Sequence, residues 1–412
     1  MIIKKRRWIT LIASFVISLC LGFVYSWSVF VEPLKLELNE TVTALSLVFT
    51  LVCGVMSIFN IFGGALHDKY GPKKIIMIGA ILYGGGILLS GYADSVFMMY
   101  LSFGVCSGIG LGFCYCSLVA NVSNFFPDIR GTVVGIVLAA YGSGSIIFAP
   151  LSQYMTDMIG VMNTFKIMGI TIMAAILLAS TLVERAPLSL SIKASNTKTK
   201  IIVPDKHWRQ MINDPLYYAA LLMLIITTTS GLMIISQASP MAQSIVGTDP
   251  VKAAWLVGIV AIANACGRFF WGMISDFIGR ARSLTLIYVL ATAMMFLLVF
   301  VKDGQFILFT VCALMIGFCY GGGMGIFPSL TTDSFGTRNS GTNFGFVMIG
   351  SAIGSYIGPM LVAQFSSVLN SYSPAFIVAA LMSITGIFLS LYANNRIRKN
   401  QLHNDKGGNI CS

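Results

Sequence analysis

Long apolar stretches separated by short polar segments make up almost the whole chain. Twelve of them are each about 20 residues long, the length that an α-helix needs to cross the hydrocarbon core of a bilayer. The pattern therefore predicts an all-α membrane protein with twelve transmembrane helices. We expect them at roughly residues 8–31, 43–66, 75–93, 96–120, 131–154, 163–183, 215–238, 253–275, 283–301, 304–327, 340–365 and 373–393.

One long polar segment, residues 184–214, interrupts this series between the sixth and seventh stretches. It divides the chain into an N-terminal six-helix half, 1–183, and a C-terminal six-helix half, 215–395. Residues 396–412 form a polar tail. The predicted organisation is two pseudo-repeated halves that are joined by a single linker.

Composition and charge narrow the class of protein. The chain is 56% hydrophobic and only 10% charged, which excludes an ordinary soluble protein. Its net charge of +11 would suit a nucleic-acid partner, but the basic residues are scattered through short segments. On the side of the two chain ends lie 21 of the 26 basic residues, and four lie on the other side. The positive-inside rule then predicts that both termini and the linker are cytoplasmic, in a cell (inner) membrane protein surrounded by lipid.

One charged side chain lies well inside a predicted helix. Arg268 belongs to the stretch Ala253–Asp276, AAWLVGIVAIANACGRFFWGMISD, and lies about 12 Å along the helix from Asp276. Arginine cannot shed its proton, and placing it near the bilayer centre costs about 2.5–3.5 kcal/mol on insertion scales. A bound anion in a water-filled cavity would offset this cost. Snorkelling to the interface, or pairing with backbone carbonyls, would offset it too.

A carboxylate site needs donors and an apolar wall besides the guanidinium. Asn264 lies one turn before Arg268 on the same helical face, where it could orient Arg268 or the substrate. It could equally be an amide that packs between helices. The other candidates are aromatic, and each could instead be a core or interfacial side chain: Tyr25, Trp27, Tyr115, Tyr141 and Tyr320.

Two loops repeat each other at an offset of 208 residues. GALHDKYGPKK, Gly64–Lys74, follows the second helix, and GMISDFIGRAR, Gly272–Arg282, follows the eighth. A weaker echo relates FFPDIRG, 125–131, to SFGTRNSG, 334–341. In each of the two longer loops, Gly64–Lys74 and Gly272–Arg282, an acid could hold the positive N-terminal end of a facing helix, while a glycine allows the tight turn. The candidate gating residues are Gly64, Asp68, Gly71, Lys74, Arg130, Gly272, Asp276, Gly279 and Arg280.

The first of these loops resembles the G-x-L-x-D-x-x-G-x-x-K/R loop of the major facilitator superfamily. Gly64, Leu66, Asp68, Gly71 and Lys74 supply its fixed positions. The resemblance implies the major facilitator fold and a cytoplasmic latch at this loop. Two parallel six-helix repeats with a substrate site between them are also the general plan of a transporter.

Longer pieces resemble the oxalate:formate antiporter family within that superfamily. They are GFVYSWSVFVEPL, NFFPDIRG, AAYGSGS, NACGRFFWGMISDFIGR, GIFPSLTTDSFG and NFGFVMIGSAIGS, and together they span both halves. The resemblance implies that the chain moves small carboxylate anions. It also implies that Arg268 binds the anion and that Tyr25, Tyr115 and Tyr320 line the cavity.

Two positions depart from the oxalate-carrying members of that family. Those members resemble this chain but have a lysine where it has Ser351, and an aromatic residue where it has Met324. Two cations suit a dicarboxylate, and this chain offers one. A monocarboxylate such as formate, pyruvate, lactate or acetate is therefore the expected substrate.

Glycines mark the expected close contacts between helices. Gly350, Gly354 and Gly358 form one small face, and a second consists of Gly104, Gly108 and Gly112. Helix packing explains both faces, and so does movement of one half against the other. The run Gly321–Gly323 is expected to permit bending.

The remaining expectations concern mechanism. No acid or histidine lies in the middle of a predicted helix, which favours anion exchange, or movement in which the substrate or a water carries the proton. The sequence contains no nucleophile–base set, phosphate loop or metal cluster, so we expect neither an enzyme nor a cofactor. We expect a monomer. The alternatives are a carrier for another small solute or drug with a structural Arg268, and a carboxylate sensor that does not transport.

Overall fold

The computed structural model describes residues 2–187, 205–369 and 371–408. Twelve helices in this part of the chain are long and apolar enough to cross a membrane. In chain order they are α1 Arg6–Leu38, α2 Val42–Tyr70, α3 Pro72–Ser90, α4 Val96–Phe125, α5 Arg130–Ile159, α6 Val161–Ser180, α7 Pro215–Val246, α8 Pro250–Ile278, α9 Arg280–Val299, α10 Phe306–Phe335, α11 Ser340–Ser366 and α12 Ser373–Gly408.

The predicted spans are confirmed in number and approximate position, but α1 is not the continuous helix that was expected over 8–31. This span lies within three consecutive segments, which are the α-helix Ile2–Leu21, the 3₁₀ segment Gly22–Ser26 and the α-helix Trp27–Leu38. Tyr83 Oη donates to the carbonyl of Leu21 at 2.9 Å, and this bond satisfies a carbonyl next to the change in winding.

Two other helices are irregular. In α4, a short α-helix Val96–Met99 is followed by a π-helical segment, Tyr100–Ser107, and by the α-helix Gly108–Phe125. The span α11 lies within two consecutive helices, Ser340–Val347 and Ile349–Leu369. A further short helix, Trp208–Ile212, precedes α7.

The two glycine faces pack closely against neighbouring helices. An added Cβ at Gly350 or Gly354 would lie 2.8 or 2.7 Å from a backbone carbonyl of α7. At Gly108 and Gly112 an added Cβ would meet Val55 and the Met56 carbonyl of α2, at 2.9 and 2.8 Å. These distances are shorter than ordinary van der Waals contacts, so the glycines allow the backbones to approach.

The run Gly321–Gly323, which was expected to permit bending, lies within α10. The helix Phe306–Phe335 continues through this run. Each glycine instead makes room for a neighbour: Gly321 for the carbonyl of Asn264, Gly322 for the ring of Trp271 and Gly323 for the side chain of Thr227. Close packing on α8 and α7 therefore explains the run.

The chain forms two compact units that do not follow a single cut along the sequence. Unit 1 takes its described residues from Met1–Phe126, Ala140–Leu190 and Arg338–Phe346. Unit 2 takes them from Pro127–Ala139, Ser191–Thr337 and Val347–Ser412. The first turns of α5 thus belong to unit 2, and the first turns of α11 belong to unit 1.

The central linker was predicted over 184–214, and residues 188–204 of it lie outside the described residues, as do 409–412 of the predicted tail. Its last ten residues are tied to the end of α10. Lys206 N donates to the Phe335 carbonyl at 2.9 Å, and Asp205 Oδ1 accepts from Thr337 N at 2.8 Å. Burial raises the pKa of Asp214, but hydrogen bonds from Lys206 and the Leu216 amide outweigh it and hold that pKa below its ordinary value.

Candidate functional site

Arg268 is buried in unit 2, where polar groups hold its guanidinium. Its side chain is 2% exposed. Nε donates to Asn264 Oδ1 at 3.0 Å, and Nη1 donates to the carbonyl of Leu138 in α5 at 3.1 Å. Both of these acceptors are uncharged, and the two bonds orient the guanidinium. Such a fixed, buried cation is able to bind a carboxylate through charge-assisted hydrogen bonds.

The backbone at Arg268 is held between two other helices. An added Cβ at Gly135 of α5 would overlap the Arg268 carbonyl, and one at Gly325 of α10 would lie 2.7 Å from it. Only glycine permits both approaches. These close contacts hold the Arg268 backbone against α5 and α10. Its side chain then reaches the Leu138 carbonyl of α5.

Three of the predicted tyrosines come together in unit 1. The ring of Tyr141 lies between those of Tyr25 and Tyr115, with centroids 5.0 and 5.3 Å away in edge-to-face arrangements. The Tyr115 ring also stacks on Phe344 at 6.4 Å. Tyr25 lies on the 3₁₀ segment of α1 and is 37% exposed, whereas Tyr115 and Tyr141 are buried. This tyrosine cluster combines apolar wall with phenolic hydroxyls.

The other predicted site residues lie outside these two groups. Trp27 is packed in the core of unit 1: its indole N–H donates to the Leu45 carbonyl at 3.2 Å and its ring lies 4.5 Å from Phe103. Tyr320 and Met324 are buried on α10, and the Tyr320 ring fills the space beside Gly231 of α7. Ser351 is half-buried just after the joint in α11, where its N–H donates to the Met348 carbonyl at 3.0 Å.

Asp68 clamps the start of α11 in unit 1. Its carboxylate accepts from the N–H groups of Gly341 and Thr342, at 3.1 and 2.8 Å, and from the Thr342 hydroxyl at 2.6 Å. Arg185 Nη2 donates to the Asp68 carbonyl at 2.7 Å. A carboxylate here satisfies free amides of a helix N-terminus and meets the positive end of its dipole. We call this set of contacts the Asp68 clamp.

Asp276 makes the same contacts at the start of α5 in unit 2. Its carboxylate accepts from the N–H groups of Gly131 and Thr132, at 2.9 and 2.7 Å, and from the Thr132 hydroxyl at 2.7 Å. An added Cβ at Gly272 would overlap the Gly131 carbonyl, just as one at Gly64 would overlap that of Gly341. We call this set the Asp276 clamp. The predicted contact of each acid with a helix N-terminus is therefore present twice.

The Asp276 clamp carries more charge than its counterpart. Arg280 bonds to Asp276 at 2.7 Å, to Asp333 at 3.0 Å and to Ser275 Oγ at 2.6 Å. Arg130 also pairs with Asp333. Two arginines and two aspartates thus form one network whose formal charges balance. At the corresponding place in unit 1, the amide of Asn124 donates to Ser340 Oγ at 2.9 Å.

The remaining gating candidates lie in the turns behind the acids. Gly71 and Gly279 have φ angles of +85° and +98°, where a Cβ would be strained, and each ends a long helix. Lys74 is exposed on α3. The two turn glycines that the sequence indicated therefore have the backbone conformation that favours glycine.

Several polar partners escaped sequence reasoning. Asp333 joins both arginines of the Asp276 clamp, and the hydroxyls of Thr132 and Thr342 bond the two acids. A signal was present, because Gly-Thr occurs in both halves at nearly the same offset as the two acids, as Gly131–Thr132 and Gly341–Thr342. Asp333 has no such counterpart in the N-terminal half.

Comparison with known proteins places the chain in a family. The family model for the Major Facilitator Superfamily matches residues 9–359 and 225–408. The chain belongs to the major facilitator superfamily. It is 31% identical over 352 residues to the uncharacterized MFS-type transporter YhjX of Escherichia coli, covering 85% of this chain and 86% of that one. This major facilitator protein is an integral, multi-pass membrane protein, as its twelve long apolar helices indicate.

Two further relatives have names that state a substrate. The oxalate:formate antiporter of Oxalobacter formigenes is 27% identical, over 95% of this chain and 92% of its own length. Monocarboxylate transporter 13 of Rattus norvegicus is 25% identical, over 93% and 88%. Both alignments span nearly the whole of this major facilitator protein.

Solved structures confirm the fold. The transporter FucP, in its outward conformation, matches with a TM-score of 0.74 at 16% identity, covering 94% of this chain and 99% of that one. The proton:xylose symporter XylE matches with a TM-score of 0.72 at 15% identity, covering 96% of each chain. The predicted major facilitator fold is therefore confirmed.

Proposed function

We propose that this protein is a secondary active transporter of small organic anions, with monocarboxylates of the formate, pyruvate, lactate or acetate class as its substrates. The observation that carries the proposal is the geometry of Arg268. Its guanidinium is 2% exposed and is aligned by bonds to the neutral Asn264 amide and Leu138 carbonyl. The names of the oxalate:formate antiporter and the monocarboxylate transporters support the same class of substrate.

The substrate would bind through its carboxylate to the guanidinium fork of Arg268. A desolvated charge requires a partner of opposite charge, and a second carboxylate on the same molecule would therefore need a second cation. Ser351 offers no such cation. The site therefore favours one carboxylate per molecule. Tyr25, Tyr115, Tyr141 and Tyr320 are proposed to supply hydroxyl donors and apolar wall along the path.

The two clamps would control access. Release of the Asp68 clamp frees the start of α11, and release of the Asp276 clamp frees the start of α5. We infer that both clamps face the cytoplasm and that the six-helix halves 1–183 and 215–395 exchange between states in which the clamps are closed and open. Movement would occur by anion exchange or together with a proton.

The experiment is uptake of labelled formate, pyruvate and oxalate into proteoliposomes. Arg268→Gln should abolish carboxylate flux in a folded protein, and lysine should restore little, because it lacks the planar fork. The matched control is Arg398→Gln, which removes an exposed arginine in the C-terminal part of α12, outside the site and the repeated loops, and should leave flux unchanged. Normal flux in the Arg268→Gln variant would refute the site, and binding without flux in the wild type would identify a sensor instead.

Competition between the same three anions tests the one-cation argument. The wild type should prefer formate and pyruvate to oxalate. Ser351→Lys should move the preference towards oxalate by adding a second cation, provided that the lysine stays protonated close to Arg268. A wild type that already prefers oxalate would show that the charge argument is wrong.

A further inference from the structure

A buried asparagine lies in the middle of α2. Asn60 is fully buried, and neither Nδ2 nor Oδ1 has a hydrogen-bond partner among the described residues. A primary amide can make up to four hydrogen bonds, and leaving them unmade in an apolar interior is costly. Native proteins keep such a group only for a reason, which is often functional.

The internal repeat gives Asn60 a specific counterpart. The offset of 208 residues that relates Gly64 to Gly272 and Asp68 to Asp276 also relates Asn60 to Arg268. The local packing repeats as well. An added Cβ at Gly345 of α11 would lie 2.7 Å from the Asn60 carbonyl, and an added Cβ at Gly135 of α5 would overlap the Arg268 carbonyl in the same way. Asn60 thus occupies in unit 1 the position that Arg268 occupies in unit 2.

Asn60 also lies between the two features of unit 1 that the proposed function uses. One turn before it, Met56 Sδ accepts from the hydroxyl of Tyr141, a member of the tyrosine cluster, at 3.8 Å. One turn after it, Gly64 packs on Gly341 of α11, and Asp68 follows on the next turn. The Asp68 clamp therefore holds α11 against the helix that carries the unbonded amide.

We propose that Asn60 is a transient ligand of the transported anion. While the Asp68 clamp is closed, the first turns of α11 cover Asn60 and its amide is unbonded. When the clamp opens, the Asn60 N–H₂ group donates to the carboxylate of the anion as it passes along unit 1. The ligand class rests on the proposed function, whereas the cost of the buried amide does not.

The stability of two matched variants tests the buried amide. Asn121 of α4 is a buried asparagine whose amide is bonded, because Nδ2 donates to the Glu184 carbonyl at 2.8 Å and Oδ1 accepts from Ala186 N at 3.1 Å. Asn60→Leu should raise the thermal unfolding midpoint of the detergent-solubilised protein by roughly 1–4 °C. Asn121→Leu should lower it. If leucine fails to fold at either site, the alanine pair decides, since Asn60→Ala should cost less than Asn121→Ala.

Transport tests the ligand role. Asn60→Leu should lower formate flux in proteoliposomes by about tenfold, the size expected for one hydrogen bond to a charged group. Formate should still raise the unfolding midpoint of this variant, because Arg268 is intact. A midpoint that falls as far as that of Asn121→Leu, or a flux equal to that of the wild type, would overturn the proposal. Failure of the anion site itself would be seen separately, as normal flux in Arg268→Gln.

Discussion

The partner of each buried polar group decides what single residues do in this protein. The Asn264 amide is bonded to Arg268, and the Asp68 and Asp276 carboxylates are bonded to helix amides. The Asn60 amide has no hydrogen-bond partner in the part of the chain that the structure describes. Each arrangement carries its own energetic consequence when the residue is changed. Asp68 and Asp276 occupy equivalent positions in the repeat, as do Asn60 and Arg268. Variants of one member of each pair can therefore be compared with variants of the other.

Asn264→Asp is expected to abolish carboxylate binding. The new carboxylate would lie about where Oδ1 now accepts from Arg268 Nε at 3.0 Å, and it would neutralise the guanidinium that the substrate needs. Asn264→Leu should weaken binding less, since it removes an orienting bond and leaves the charge. Formate-induced thermal stabilisation measures both. Equal binding by the aspartate variant and the wild type would show that the anion does not meet Arg268.

The two clamp acids should differ when each is changed to asparagine. Asp276→Asn removes one carboxylate of the buried Arg280–Asp276 pair and leaves Arg280 bonded to Asp333, and it should lower the free energy of unfolding by about 3–5 kcal/mol. Asp68→Asn weakens the hydrogen bonds to the start of α11 and removes the negative charge at its N-terminus, but it breaks no ion pair as close as Arg280–Asp276, and it should cost about 1–3 kcal/mol. Thermal unfolding of the two variants in one detergent gives the comparison. A larger loss for Asp68→Asn would contradict this account of the charges.

Transport by Asp68→Asn should slow much more than its substrate affinity weakens. Asp68 contacts the start of α11 and only shifts the balance between clamped and released states. Flux and formate-induced stabilisation, measured on the same preparation, separate the two effects. A matching loss of affinity would assign Asp68 to the site itself.

Sequence patterns identified residues at repeated or neighbouring positions and missed several of the side chains that they bond. Asp68, Asp276 and the turn glycines repeat in short loops, and Asn264 lies one turn from Arg268. The hydroxyl of Thr132, by contrast, bonds an acid 144 positions away. The one sequence signal for that contact is the Gly-Thr pair that is repeated between the two halves.

At the scale of elements, apolar length predicted every span but not its internal winding. The 3₁₀ segment Gly22–Ser26 forms where Gly22 lies against the Tyr141 carbonyl and the Cα of Gly144 in α5. The Gly321–Gly323 run lies inside the continuous helix α10 and lets neighbours approach. Helix length follows from the thickness of the membrane, whereas winding and glycine use follow from tertiary contacts that sequence does not reveal.

Gly354→Ala should destabilise the protein, and Gly258→Ala should not. A Cβ at Gly354 would lie 2.7 Å from both the Ile225 carbonyl and the Cβ of Thr228, so α11 would have to move off α7. Overpacking of this kind costs about 1–3 kcal/mol. Gly258 of α8 has nothing within 4 Å of the same position and is the control. Equal unfolding midpoints for the two variants would show that the glycine face is not tightly packed.

At the scale of the whole molecule, charge predicts which way the chain crosses the membrane. In a variant without the nine native cysteines, a single cysteine near Asp249 should react with an impermeant thiol reagent added outside intact cells. One near Ala194, which lies outside the described residues, should not react until the membrane is permeabilised. The reverse pattern would invert the assignment of both termini to the cytoplasm.

The exchange of segments between the two units has an evolutionary consequence. An acid from the first half of the sequence holds a Gly-Thr pair from the second, and an acid from the second half holds a Gly-Thr pair from the first. A contact that is made twice in opposite senses is what a twofold axis generates between identical subunits. A six-helix ancestor could therefore have formed this contact as a homodimer before its gene was duplicated and fused. After fusion the two copies were free to diverge, and Asn60 and Arg268 mark a position where they did.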